Sequence, residues 1–137
     1  MDNLEKIIKL EKRKDELDKI LNLMYVLVRF KISGGSIKTF FDRNEYNSIA
    51  VYGMGRLGEV LCDYLVQEGL GLLFCIDCNP DYVFYDIPVY HADDVIPNAD
   101  IVVVTVMDEK VKELLQQKKI GDVIMIEDFL KSLIVYR

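Results

Sequence analysis

The run Gly53-Met54-Gly55-Arg56-Leu57-Gly58 and Asp77, 24 positions after Gly53, form the pattern in this chain with most chemical meaning. The chemistry they suit is capture of a phosphorylated ligand, with no bond made or broken. Glycine at 53 permits a tight turn, at 55 lets the backbone approach a pyrophosphate, and at 58 lets a helix pack closely on a strand. Free N–H groups at the start of that helix, with its dipole, attract an anion. Arg56 is placed to reach a phosphate, or to sit in solvent. Asp77 has the spacing of a carboxylate that accepts hydrogen bonds from the two ribose hydroxyls of NAD and repels a 2′-phosphate. It is also suited to capping the turn into Asn79-Pro80. Thr105 and Val106, at the end of a later apolar run, are expected to form the opposite wall. The candidate cofactor-binding set is therefore Gly53, Met54, Gly55, Arg56, Leu57, Gly58, Asp77, Thr105 and Val106, with no catalytic residue and no metal ligand assigned.

Other reactive types read more plainly. Cys75-Ile76-Asp77-Cys78 has C-x-x-C spacing. Redox pairs of that kind open a helix, whose N-terminus lowers the thiol pKa. This one closes a strand, so Cys75 should face the sheet packing. Zinc held with Cys62 and His91 is the competing reading. His91, the only histidine, lacks a neighbouring nucleophile and reads as a surface residue at a turn. Asp93-Asp94 and Asp108-Glu109 suit helix starts. P-loop, zinc-protease and nucleophile-elbow patterns are absent.

These residues need elements to position them. Ile49–Tyr52 is a short β-branched run that leads into the glycines, and a helix over Arg56–Glu68 follows with Leu57, Val60, Leu61, Tyr64 and Leu65 on one stripe. Further strands are expected at Leu72–Ile76, Ile87–Tyr90, Ile101–Val106 and Val123–Ile126. Between them lie a loop at Asp81–Asp86, at most one helical turn at Asp93–Ile96, a helix at Glu109–Lys119 and a closing helix at Asp128–Val135. Right-handed β-α-β connections make the sheet parallel. The expected fold class is α/β: a Rossmann-like five-stranded parallel sheet in the order 3-2-1-4-5, flanked by helices. The crevice should open at the carboxyl ends of the first and fourth strands, between Tyr52–Leu57 and Thr105–Asp108.

Residues 1–46 form an N-terminal helical extension and residues 47–137 the nucleotide-binding domain. Asp2 and Glu5 have capping-box spacing. Ile7, Leu10, Lys14, Leu17, Leu21, Met24 and Val28 then recur at steps of three and four, a heptad-like seam with one polar interruption. Ser33-Gly34-Gly35 stops the helix, and Ser36 can cap a short second one at Ile37–Arg43. The long helix either folds back on its own domain or pairs with another chain, as a homodimer or with a partner enzyme.

Composition narrows the class. The 137 residues suffice for one core, and half of them are apolar. The net charge of −6 without a basic stripe argues against nucleic acid. The longest apolar runs are about ten residues, against the ~20 that a membrane span needs, and no signal peptide is expected in the charged Met1–Glu16. Three cysteines make no paired disulfide framework, which suits a cytoplasmic location.

The block Ile49–Leu130 resembles a family of small bacterial Rossmann-like domains found beside glycosyltransferases and other enzymes of cell-surface polysaccharide assembly. The features that carry the resemblance are Ile-Ala-Val-Tyr-Gly-Met-Gly-Arg-Leu-Gly (Ile49–Gly58), Cys-Ile-Asp-Cys-Asn-Pro (Cys75–Pro80), Ile-Pro-Val-Tyr (Ile87–Tyr90), Ala-Asp-Ile-Val-Val-Val-Thr-Val (Ala99–Val106) and Ile-Glu-Asp-Phe-Leu (Ile126–Leu130). The block is also similar to the nucleotide-binding domain of redox-sensing repressors, whose basic winged helix has no counterpart in the charge-mixed residues before Ser48. A third likeness is to the N-terminal domain of bacterial sugar acyltransferases, without their left-handed repeat domain. The resemblance implies a nucleotide or nucleotide-sugar site. The expected function is a non-catalytic module that binds NAD(H) or a nucleotide-sugar in polysaccharide or sugar-nucleotide metabolism. The alternatives are an NAD-dependent oxidoreductase fragment or subunit, and an interaction scaffold whose pocket is vestigial.

Overall fold

The computed structural model describes residues 2–79 and 84–135. Their order is α1 (Asn3–Ile32), α2 (Lys38–Arg43), β1 (Ile49–Tyr52), α3 (Arg56–Gln67), β2 (Leu72–Asp77), β3 (Val89–His91), β4 (Ile101–Val104), α4 (Glu109–Lys118), β5 (Asp122–Met125) and α5 (Ile126–Val135). The five strands form one sheet in the order β3-β2-β1-β4-β5, and every pairing is parallel. The expected α/β architecture is therefore the observed one. β1 and β4 are buried along their whole length, as central strands with both faces covered must be.

The two faces are covered unequally. Ile49, Val51, Cys75, Ile101 and Val103 point toward α1, α2, α3 and α5 and pack with Leu27, Phe41, Leu61 and Phe129. Ala50, Phe74, Ile76, Val102 and Val104 point the other way, toward Leu115 of α4 and Ile120. α1 contributes to the first face only from its second half: Leu27 and Phe30 are buried, each worth ~1.5–3 kcal/mol of burial. Its start is capped as expected, with Asp2 accepting from the Glu5 N–H at 2.8 Å.

Several boundaries differ from the expected ones. β3 begins at Val89, because the Ile87 N–H donates to Phe84 O in a local turn and Phe84 and Ile87 form an isolated antiparallel bridge. The expected loop at Asp81–Asp86 falls partly outside the described residues. β4 stops at Val104, two residues early. β5 is displaced one residue toward the N-terminus, and α5 starts at Ile126 with no intervening loop. The segment after Ala92 is a turn and not a helix.

α2 begins one residue later than expected, with Ile37 and not Ser36 at its N-cap and no side-chain cap bond, although the Ser36 oxygen accepts from the Lys38 N–H at 3.3 Å. The stronger partner comes from another helix. Glu68, at the end of α3, accepts from the Ile37 N–H at 3.1 Å, from the Ser36 hydroxyl, and from the Lys31 ammonium at 2.8 Å. Burial alone pushes the Glu68 carboxyl up. The bonds from Lys31, Ser36 and Ile37 and the Lys31 charge outweigh that and hold it below its usual range. One carboxylate thus ties the end of α1, the start of α2 and the end of α3. At the amino end of the sheet, Asp100 accepts from the Asn47 and Ser48 N–H groups at 2.7 and 3.0 Å, which fixes the entry to β1 against the entry to β4.

Candidate functional site

β1 and β4 run side by side, with Tyr52 opposite Val104. The chain leaves β1 through Gly53 at φ +96° and enters α3 after Gly55. Two side chains hold this turn. Asp77, at the end of β2, accepts from the Met54 N–H at 2.6 Å and from the Asn79 N–H at 2.8 Å. Thr105, past the end of β4, donates its hydroxyl to Gly53 O at 2.8 Å and Tyr52 O at 3.0 Å. A single proton serves both carbonyls, so the hydroxyl is committed to the turn.

The three glycines differ in what requires them. A Cβ at Gly53 would lie 2.6 Å from the Thr105 hydroxyl, and the positive φ disfavours any side chain there. At Gly58 it would lie 1.8 Å from Gly53 O, so this glycine is the close approach of helix to strand. Gly55 has φ −73° and ψ −168°, extended backbone that any residue adopts. Among the described residues nothing lies within 4 Å of a Cβ placed on it. Gly55 is also the N-cap of α3, and among the described residues no side chain caps that helix. Ser, Asp or Asn would cap it better.

A cavity of about 310 Å³ adjoins this uncapped start, the lower end of the range for small-molecule sites. Gly55–Gly58 form one wall and Thr105–Asp108 another, as expected for the crevice between the first and fourth strands. The third wall is α1, through Arg13, Glu16 and Ile20. Sequence reasoning missed these three. Ile20 opens the stripe Ile20, Leu23, Leu27 and Phe30 that packs on the body, Glu16 and Arg13 continue it by two further turns, and that continuation is the signal that could have found them.

The candidate residues are not all brought to the cavity. Gly55, Arg56, Leu57, Gly58, Thr105 and Val106 line it. Gly53 lies behind the turn. The Met54 side chain is buried, with its sulfur 3.9 Å from Cys62 Sγ, and its N–H is held by Asp77. Asp77 is half-buried on the β2 side of the turn and is not among the lining residues. Its bond to Asn79 is the capping role weighed from sequence; Pro80 lies outside the described residues. Among the described residues each Asp77 oxygen accepts one backbone N–H, and a carboxylate has roughly four acceptor positions. Tyr52 is buried on the opposite face of β1. Burial, with Cys78 and the nearby acids Asp77 and Asp108 adding to it, pushes its phenol up to about 12.

Charge at the cavity balances. Arg13 and Arg56 face Glu16 and Asp108, and Arg13 pairs with Glu16 at 3.6 Å. Attraction for an anion therefore rests on the backbone donors of α3 and not on net charge. Across the crevice α4 is satisfied differently: Asp108 accepts from the Lys110 N–H at 3.0 Å and caps its own helix.

The cysteines are structural in placement. Cys75 is buried beside Cys62, sulfur to sulfur 3.8 Å, and Cys78 is exposed. The Cys75 contact and burial both push the Cys62 thiol up, which disfavours the reactive thiolate. His91 Nδ1 accepts from the Asp93 N–H at 3.1 Å. Among the described residues no group of three His, Cys, Asp or Glu could hold a metal ion, and no helix is long and apolar enough to cross a membrane. No protein-family model, curated protein or solved structure matches this chain.

Proposed function

We propose that this protein is a non-catalytic binding module for a ribosyl diphosphate, NAD(H) or a nucleotide-sugar, serving polysaccharide or sugar-nucleotide metabolism in the cytoplasm. The diphosphate settles on the N–H groups at the start of α3, Arg56 flanks it, and a ribose hydrogen-bonds to the Asp77 carboxylate. The observation that carries this reading is Gly55. Gly53 and Gly58 are required by the protein's own atoms, whereas Gly55 has ordinary backbone angles and open space over it. A glycine that leaves a helix start uncapped, beside a cavity, suits a ligand that brings its own negative charge. Lining without filling is a second support, since Met107 forms part of the wall while Met54 and Tyr52 turn into the cores.

The test is thermal unfolding with NADH and with UDP-sugars. A ligand at 100 times its Kd adds ~2.7 kcal/mol to stability, so the midpoint should rise with one of them. Identical midpoints with every ribosyl diphosphate tried would reject the assignment.

A further inference from the structure

Among the described residues the first half of α1 meets the body only at the cavity, through Arg13 and Glu16, and its apolar residues remain in solvent. Leu4, Ile7, Leu10 and Leu21 are each more than half exposed, and Leu17 nearly so. The residues that α1 turns toward its own body form a different stripe, Ile20, Leu23, Leu27 and Phe30. With Ile7 taken as heptad position a, Leu10, Leu17 and Met24 are d, and Lys14, Leu21 and Val28 are the further a positions. Position g holds Lys6 and Arg13. Position e holds Glu11 and Asp18.

We propose that this seam is covered by a second copy of the chain, in a parallel, in-register two-stranded coiled coil over the first half of α1. The flanking charges choose the orientation. In a parallel pair each g side chain meets the e side chain five residues on in its partner. Lys6 then meets Glu11 and Arg13 meets Asp18, in both directions. In an antiparallel pair g meets g and e meets e, so base faces base and acid faces acid. Core types agree: β-branched Ile7 at a with leucines at d favours two strands, and a single Lys at a fixes register and pairing number at some cost in stability. Arg13 now pairs with Glu16 of its own helix at 3.6 Å, with both side chains well exposed; such a surface pair is worth little and is readily exchanged. The pairing stands apart from the nucleotide reading, because the seam residues other than Arg13 do not line the cavity.

Sedimentation of the full chain at a series of concentrations tests this. The mass should be that of two chains and should fall to one on dilution. Leu10→Glu with Leu17→Glu should give one chain throughout, with the near-ultraviolet signal of the body retained. Lys6→Glu with Arg13→Glu should weaken pairing about tenfold or more, since attractive g–e contacts become repulsive. Adding Glu11→Lys and Asp18→Lys should restore it. Leu10→Cys in a Cys78→Ser background should cross-link the two copies on mild oxidation. A single-chain mass at every concentration overturns the proposal, as does a dimer that Leu10→Cys does not cross-link or that the fourfold charge exchange does not restore. Nucleotide binding measured on the Leu10→Glu/Leu17→Glu variant separates failure of this proposal from failure of the other.

Discussion

Two helices begin at the same end of the sheet, and they treat their free N–H groups differently. α4 opens on Asp108, whose carboxylate accepts from its own Lys110 N–H. α3 opens on Gly55 and has no side-chain cap among the described residues. A capping side chain is worth roughly 0.5–2 kcal/mol over an alanine. The chain takes that stabilisation at α4, whereas the glycine at α3 forgoes a few tenths of a kcal/mol, although the turn before α3 is the more heavily braced, by Asp77, Thr105 and the Gly53–Gly58 contact. The bracing holds the geometry and the missing cap leaves the donors open. That division of labour is what a preorganised anion site requires.

The bracing can be broken, and the largest effect is expected at Gly58. A methyl there would overlap Gly53 O, so Gly58→Ala should lower unfolding free energy by about 3 kcal/mol, the upper part of the range for overpacking. Urea titration would measure it; a loss below 1 kcal/mol would mean that helix and strand have room to part. Thr105→Val removes the hydroxyl shared by Tyr52 O and Gly53 O. It should cost about 1–2 kcal/mol, read as a lower midpoint with an unchanged m-value.

Glu68 brings in the other end of α3. Its folded pKa is lowered, so the stabilisation it confers is present above its ordinary value of 4.5 and is lost as pH falls through the folded pKa. Glu68→Gln should be clearly less stable than wild type at neutral pH, and the gap should close as pH falls below 4.5 and through the lowered folded pKa. A gap that persists in acid would assign the loss to packing and not to the Lys31 contact. The smallest effect on stability is expected at Gly55. Gly55→Ser supplies the cap that α3 lacks, so it should raise stability by a few tenths of a kcal/mol. Loss of more than 1 kcal/mol there would show that the fold itself needs the glycine.

Most of the fold was legible because the strands other than β5 are bounded by turn residues and the crossover helix after β1 carries a clean stripe. The misplaced edges have local causes. Ile87 looks like strand, but its N–H serves the turn at Phe84. Ile126 reads as the end of β5, yet α5 follows Met125 without a linker. The site was half legible. The glycine run announced the turn, but not that Asp77 and Thr105 would be occupied in bracing it, because both bonds span more than 20 residues. Arg13 and Glu16 were hidden by their charge, which on a helix normally means a solvated face. The role of Glu68 has no local signature, since its partners lie 30 to 37 residues away.

The most direct measurement is calorimetric titration of NADH and a UDP-sugar into wild type and Gly55→Asp, with the stability of both followed in parallel. An aspartate at this N-cap would satisfy the α3 donors and place a negative charge where the diphosphate should rest. If a diphosphate rests on the α3 donors, wild type binds, the variant does not, and the variant is at least as stable as wild type. Equal affinity in the two proteins would contradict that placement.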